Sequence, residues 1–172
     1  WQTWAQLALK SQSPPLMLKT AETGLKELAS QPWDFMSTAA ELYLRCDKLD
    51  LAENCISKLR QKDIAPPNTA FLEGLLAEMK GLDYEAVKHW YRAIQLGEDS
   101  GRTRLSLALV LSQLGDRQAA INQLRSLVSE QPNFVRGRLT LARLFIENAN
   151  WAEAADQARA AQQISPESLD AA

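Results

Sequence analysis

Small side chains recur along this chain at a fixed interval, with larger apolar ones held at fixed places between them. Ala40, Gly74, Ala108 and Ala142 each stand 34 places after the last, and twelve positions further on the same interval links Ala52, Ala86, Ala120 and Ala154. A third series runs Leu59, Ala93, Leu127 and Ala161. The other columns are Tyr43, Ala77, Leu111 and Phe145, and then Ile56, Trp90, Leu124 and Ala158. Pro132 and Pro166 close two units at the same separation. A period of this length marks a stacked supersecondary unit. Small residues let two antiparallel helices approach, while the larger ones fill the grooves beside them. In the unit starting near 101, a first helix is expected over 102–114 and a second over 117–129, stopping before Pro132. Gly115-Asp116 turns the chain between them, since glycine accepts the backbone a helix end needs. Loops this short force antiparallel neighbours, and each hairpin must stack on the next to bury its apolar face.

The period and the order of small, aromatic, alanine and proline positions resemble the tetratricopeptide repeat. The resemblance covers four regular units, 33–66, 67–100, 101–134 and 135–168. An irregular unit over 1–32 opens with Trp4-Ala5-Gln6-Leu7-Ala8 and has Pro32 at its closing position, but Ser11 to Pro15 replaces the usual turn. The step from Ala8 to Ala40 falls two short of the period. Residues 169–172 read as the start of a further helix. The resemblance implies an all-α, right-handed superhelical solenoid of about five helix–turn–helix units. It would form a single domain over 1–172, with the first helices lining a concave face.

Composition narrows the function. Hydrophobic residues make up 46% and charged residues 23% of the chain, too apolar for a disordered segment. The formal net charge of -2 offers no overall positive field for nucleic acid or an anionic membrane. The arginines form only a small cluster with no aromatic row for stacking bases. No apolar run approaches the roughly 20 residues that span a bilayer, and no signal peptide is visible. No partner role with nucleic acid and no membrane insertion by this segment are expected. Both ends read as cut from a longer array, and exposed repeat ends could self-associate.

Catalytic chemistry has no candidates in the sequence. His89 is the sole histidine and reads as a surface or packing residue. There is no metal-ligand motif, phosphate loop or nucleophile elbow, so no enzyme, cofactor or metal site is expected. Cys46 and Cys55 flank one turn and read as small buried residues, although a bridge would need Cα atoms within about 7 Å. Acidic residues are expected on helix surfaces, with no carboxylates set in an apolar context.

The resemblance implies a binding groove lined by the second, fifth, ninth, twelfth and thirteenth positions of each unit. These are Asp34, Ser37, Glu41, Leu44 and Arg45 in one unit, and Asn68, Phe71, Leu75, Glu78 and Met79 in the next. Arg102, Leu105, Leu109, Ser112 and Gln113 follow, then Arg136, Leu139, Arg143, Ile146 and Glu147. A solvent-facing apolar run through Phe71, Leu75, Leu105, Leu109 and Leu139 is expected, with Arg102, Arg136 and Arg143 as a basic end. Such a groove would take a protein or peptide segment with apolar anchors and an acidic end. The lysine–asparagine pattern that grips heat-shock protein termini is absent. The expected role is a protein-interaction scaffold. The alternatives are a structural spacer or oligomerisation segment with no groove ligand, or a regulatory appendage to a domain outside this sequence.

Overall fold

The computed structural model describes residues 1–28, 33–98 and 100–165, apart from the side chain of Asp34. Pro32, Pro166 and the stretch 169–172 lie outside that set. The described residues form ten α-helices and no strand. They are α1 (Gln2–Ser11), α2 (Pro14–Glu27), α3 (Trp33–Arg45), α4 (Leu49–Gln61), α5 (Pro66–Met79), α6 (Asp83–Gln95), α7 (Gly101–Gln113), α8 (Arg117–Glu130), α9 (Val135–Glu147) and α10 (Trp151–Ile164). Each odd-numbered helix packs against the one that follows it, giving five hairpins, and the fold is an all-α helical repeat. Two compact units are formed, one from Trp1 to Glu98 and one after it. In the first unit α2 packs on α3 and α4 on α5, and α3 also touches α1 and α5. In the second unit α8 lies between its own partner α7 and the next first helix, α9.

The turn inside each regular hairpin repeats one hydrogen-bond device. Asp47, Gly81, Gly115 and Ala149 recur at the period of the columns and all have positive φ, between 57° and 87°. The residue after each donates its N–H back to the closing turn of the helix: Lys48 to Tyr43, Leu82 to Ala77, Asp116 to Leu111 and Asn150 to Phe145, at 2.8–2.9 Å. This six-to-one bond caps carbonyls that the helix leaves unmet. Glycine suits the position, yet Ala149 holds it at φ 58°. A β-carbon in that conformation costs about 1–2 kcal/mol, partly offset by the greater freedom of glycine in the unfolded chain. Ala149→Gly is therefore expected to stabilise the second unit by up to about 1 kcal/mol, read as a higher thermal midpoint.

The irregular first hairpin has a local cause. Only Gln12 and Ser13 separate α1 from α2, where the regular hairpins use three residues. Gln12 takes the left-handed conformation at φ 50°, and Pro14-Pro15 supply the first positions of α2. Proline is suited there because its missing N–H has no helical partner to lose and its φ is already helical. The link is thus one residue shorter than elsewhere.

The core follows the columns. Ala40, Ala108, Ala52, Ala86, Ala120, Ala93 and Ala161 are fully buried, as are Leu59, Leu124 and Leu127. The largest fully buried side chain is Trp90 on α6. It lies across Gly74 on α5, where an added β-carbon would overlap the indole at Nε1, Cδ1 and Cε2. The smallest residue of one column thus faces the largest of another. Both cysteines are free thiols: Cys55 is buried, while half-buried Cys46 donates from Sγ to the Pro14 carbonyl at 3.6 Å.

Candidate partner-binding surfaces

The first helices divide the expected groove residues between core and surface. On α5, Phe71 is buried, Leu75 half-buried and Met79 exposed. On α7, Arg102 is exposed, Leu105 buried and Leu109 half-buried. On α9, Arg136 and Arg143 are exposed with Leu139 half-buried between them, and Ile146 is 51% exposed. The continuous solvent-facing apolar run is therefore corrected: Phe71 and Leu105 belong to the core. On α5 the reason is geometric, since a first helix that packs against α3, α4 and α6 has little apolar surface left over. On α3 the same holds for Leu44, which is buried, while Arg45 pairs with Glu41 at 3.3 Å.

The stripe on α9 is the most open of these surfaces. Arg136, Leu139, Arg143 and Ile146 follow one another by steps of three, four and three, which places them on one face of a helix. Arg143 Nε lies 3.8 Å from Glu147 Oε1, an exposed i, i+4 pair worth little against water. Both arginines are thus available to an incoming carboxylate.

A charged cluster in the first unit is not announced by any sequence motif. Glu73 on α5 is only 6% exposed, which corrects the expectation that acidic residues stay on helix surfaces. The same column holds Leu107 and Leu141 in the later units, and both are buried. Arg60 of α4 reaches Glu73 Oε1 at 3.4 Å, and on the Oε2 side stand His89 Nδ1 at 3.2 Å and Arg92 at 3.7 Å, both from α6. His89 holds Glu73 below the usual carboxylate range as a hydrogen-bonding neighbour, against the upward pull of burial, and the Arg60 and Arg92 charges add to the lowering. In its present orientation the imidazole still leaves Oε2 without a fully aligned hydrogen bond. In the second unit the His89 column is Gln123 and Gln157, which accept from Arg104 and Arg138 at 3.1 and 2.9 Å. The break in an otherwise apolar column was the available signal. Among the described residues no group of His, Cys, Asp and Glu could hold a metal ion, and no helix is long and apolar enough to cross a membrane.

No family model matches the sequence. Human tetratricopeptide repeat protein 7A is 31% identical over 118 residues, which are 69% of this chain and 13% of that protein. The chain thus spans only about an eighth of the length of that curated relative. Among solved structures, TTC0263, a thermophilic TPR protein in Thermus thermophilus, superposes with a TM-score of 0.78 at 19% identity, over 98% of this chain and 93% of that one. MamA from Desulfovibrio magneticus RS-1 gives 0.72 at 11% identity, over 97% and 94%. YrrB, described as a TPR protein with an unusual peptide-binding site, gives 0.67 at 14% identity, over 96% and 94%. With the regular columns and the five hairpins, these likenesses put the chain in the tetratricopeptide repeat family. Repeats of this family generally serve as non-enzymatic scaffolds for other proteins.

Proposed function

We propose that this chain is a protein-interaction scaffold whose second unit receives, on its first helices, a partner segment with apolar anchors and an acidic end. The observation that carries this reading is the α9 stripe, where exposed Arg136 and Arg143 flank half-buried Leu139 and exposed Ile146 follows. Guanidinium groups hold carboxylates in paired, charge-assisted hydrogen bonds, and adjacent aliphatic surface takes an apolar anchor. Arg102 and Leu109 on α7 are the further candidates in that unit, with Leu105 behind them in the core, while Leu75 and Met79 on α5, backed by Phe71, offer a separate surface in the first unit. A peptide with an acidic end, titrated against the wild type and Arg136→Ala/Arg143→Ala, is expected to bind the variant at least about tenfold more weakly. Unchanged affinity would overturn the basic part of the site.

A second reading, an oligomerisation segment, is supported by the opening hairpin. Leu7 lies in the column of Ala39, Glu73, Leu107 and Leu141, all buried, yet is 54% exposed. Trp4 is 63% exposed beside it, and Trp1, Trp4 and Leu16 wall an open apolar hollow of about 250 Å³. Large exposed aromatic surface of this kind marks protein contacts. Light scattering over a concentration series is expected to show self-association that Leu7→Glu/Trp4→Asp removes. A wild type that stays monomeric throughout would exclude this route.

A further inference from the structure

We propose that the cavity between α4, α5 and α6 is a second binding site, which takes a cationic side chain of a partner protein: a guanidinium or primary ammonium on an apolar stem. The cavity measures about 190 Å³ and lies wholly within the first unit. Ile56, Leu76, Ala77 and Leu82 supply aliphatic wall for a stem. Glu53, Glu73 and Glu85 supply three carboxylates at the same cavity, paired at its rim with Lys80, with Arg60 and Arg92, and with Lys88 respectively.

The choice of a cation rests on which partner in each ion pair is able to leave. Glu73 is 6% exposed, whereas the side chain of Arg60 is 59% exposed and that of Arg92 is 53% exposed. An arginine that far out rehydrates at little cost, but the carboxylate stays where it is. Its Oε2 is buried and lacks a well-aligned donor. A buried acceptor in that condition is costly until some donor meets it. Water can enter a cavity of this size, but water brings no charge and makes no use of the aliphatic walls. An N–H-bearing cation supplies the missing donor, and its stem covers the apolar wall, as lysine and arginine stems commonly do. Lys80 gives the local precedent: its side chain, 31% exposed, lies at the cavity and reaches Glu53 Oε2 at 2.8 Å.

The charges are also confined to one repeat. Where this repeat interface has Arg60 and Glu73, later repeats have Ile94 or Val128 at the first position and Leu107 or Leu141 at the second. Apolar residues suffice for packing at these places, and a buried ion pair commonly adds no stability over them. The charged set is therefore assigned to recognition. This site is separate from the α9 stripe and stands or falls without it.

The test is a titration of the amide spectrum of the whole chain with a capped Ala-Arg-Ala peptide, with capped Ala-Gln-Ala as the control. Saturable shifts confined to α4, α5 and α6 are expected for the arginine peptide, with a dissociation constant on the order of 1 mM. They should vanish in Glu73→Gln and persist in Arg136→Ala/Arg143→Ala. If Glu73→Gln loses the native spectrum, Glu53→Gln/Glu85→Gln, altering half-exposed to exposed groups, is expected to weaken binding about tenfold. No saturable shift in the wild type, equal shifts with the glutamine peptide, or full binding by the carboxamide variants would each overturn the proposal.

Discussion

Trp90→Ala is expected to destabilise the first unit by about 3–5 kcal/mol, the usual range for emptying a fully buried tryptophan site. Trp90 is the largest side chain with no exposed surface, and it sits against Gly74, where no β-carbon shields the helix backbone. Truncation therefore opens a cavity that neighbouring side chains cannot readily fill. Gly74→Ala acts on the same contact from the other side. Its methyl group would collide with the indole, which is held by packing, so overpacking of about 1–3 kcal/mol is expected. The two effects should not add. In Gly74→Ala/Trp90→Leu the chain adopts the pair found one repeat later, Ala108 with Leu124, both fully buried. The double variant is expected to be more stable than the sum of the single losses by at least about 1 kcal/mol. Chemical denaturation of the wild type, Trp90→Leu, Gly74→Ala and the double variant checks this. Strict additivity would show that the glycine and the indole do not constrain one another.

Much of the fold was legible because one packing problem is solved five times. The small columns mark where the helices of a hairpin touch, so they set helix register as well as helix existence. The pair expected over 102–114 and 117–129 is found at Gly101–Gln113 and Arg117–Glu130. Gly115 identified its turn because the backbone there has φ +87°. Ala149 and Asp47 adopt the same conformation without glycine, so the turn is fixed by the hydrogen bonds around it and the residue type only eases it. The surface was less legible. Columns tell which residues pack inside a hairpin, but whether Phe71 or Leu105 also packs against neighbouring helices is a tertiary fact. Glu73 was hidden for a related reason. Its partners Arg60, His89 and Arg92 lie on two other helices, and a charge at an apolar position has no sense until all of them are placed.

Replacing that buried carboxylate distinguishes packing from polarity. Glu73→Gln keeps the shape but loses the charge that Arg60, His89 and Arg92 face, and it leaves a buried amide with poorly matched partners. A loss of about 1–3 kcal/mol near neutral pH is expected. Glu73→Leu removes the polar group altogether and restores the residue found at Leu107 and Leu141. Arg60 and Arg92, each more than half exposed, then turn to water without leaving a buried charge behind. The leucine variant is therefore expected to match or exceed the wild type, by up to about 1–4 kcal/mol. The pH dependence gives an independent reading. Because the folded-state pKa of Glu73 is lowered, its contribution is present above the unfolded carboxylate value and is lost as pH falls through the folded one. The wild type should lose more stability than Glu73→Leu over that acid range. Glu78, raised by burial and by Asp83, has the opposite sign but is common to both chains, so it cancels in the difference. Equal acid sensitivity of the two proteins would show that Glu73 is not held ionised by its neighbours. A leucine variant that is more stable yet no longer shifts with the arginine peptide would separate the two roles of this position. That outcome would assign stability at this position to an apolar side chain and binding to the carboxylate.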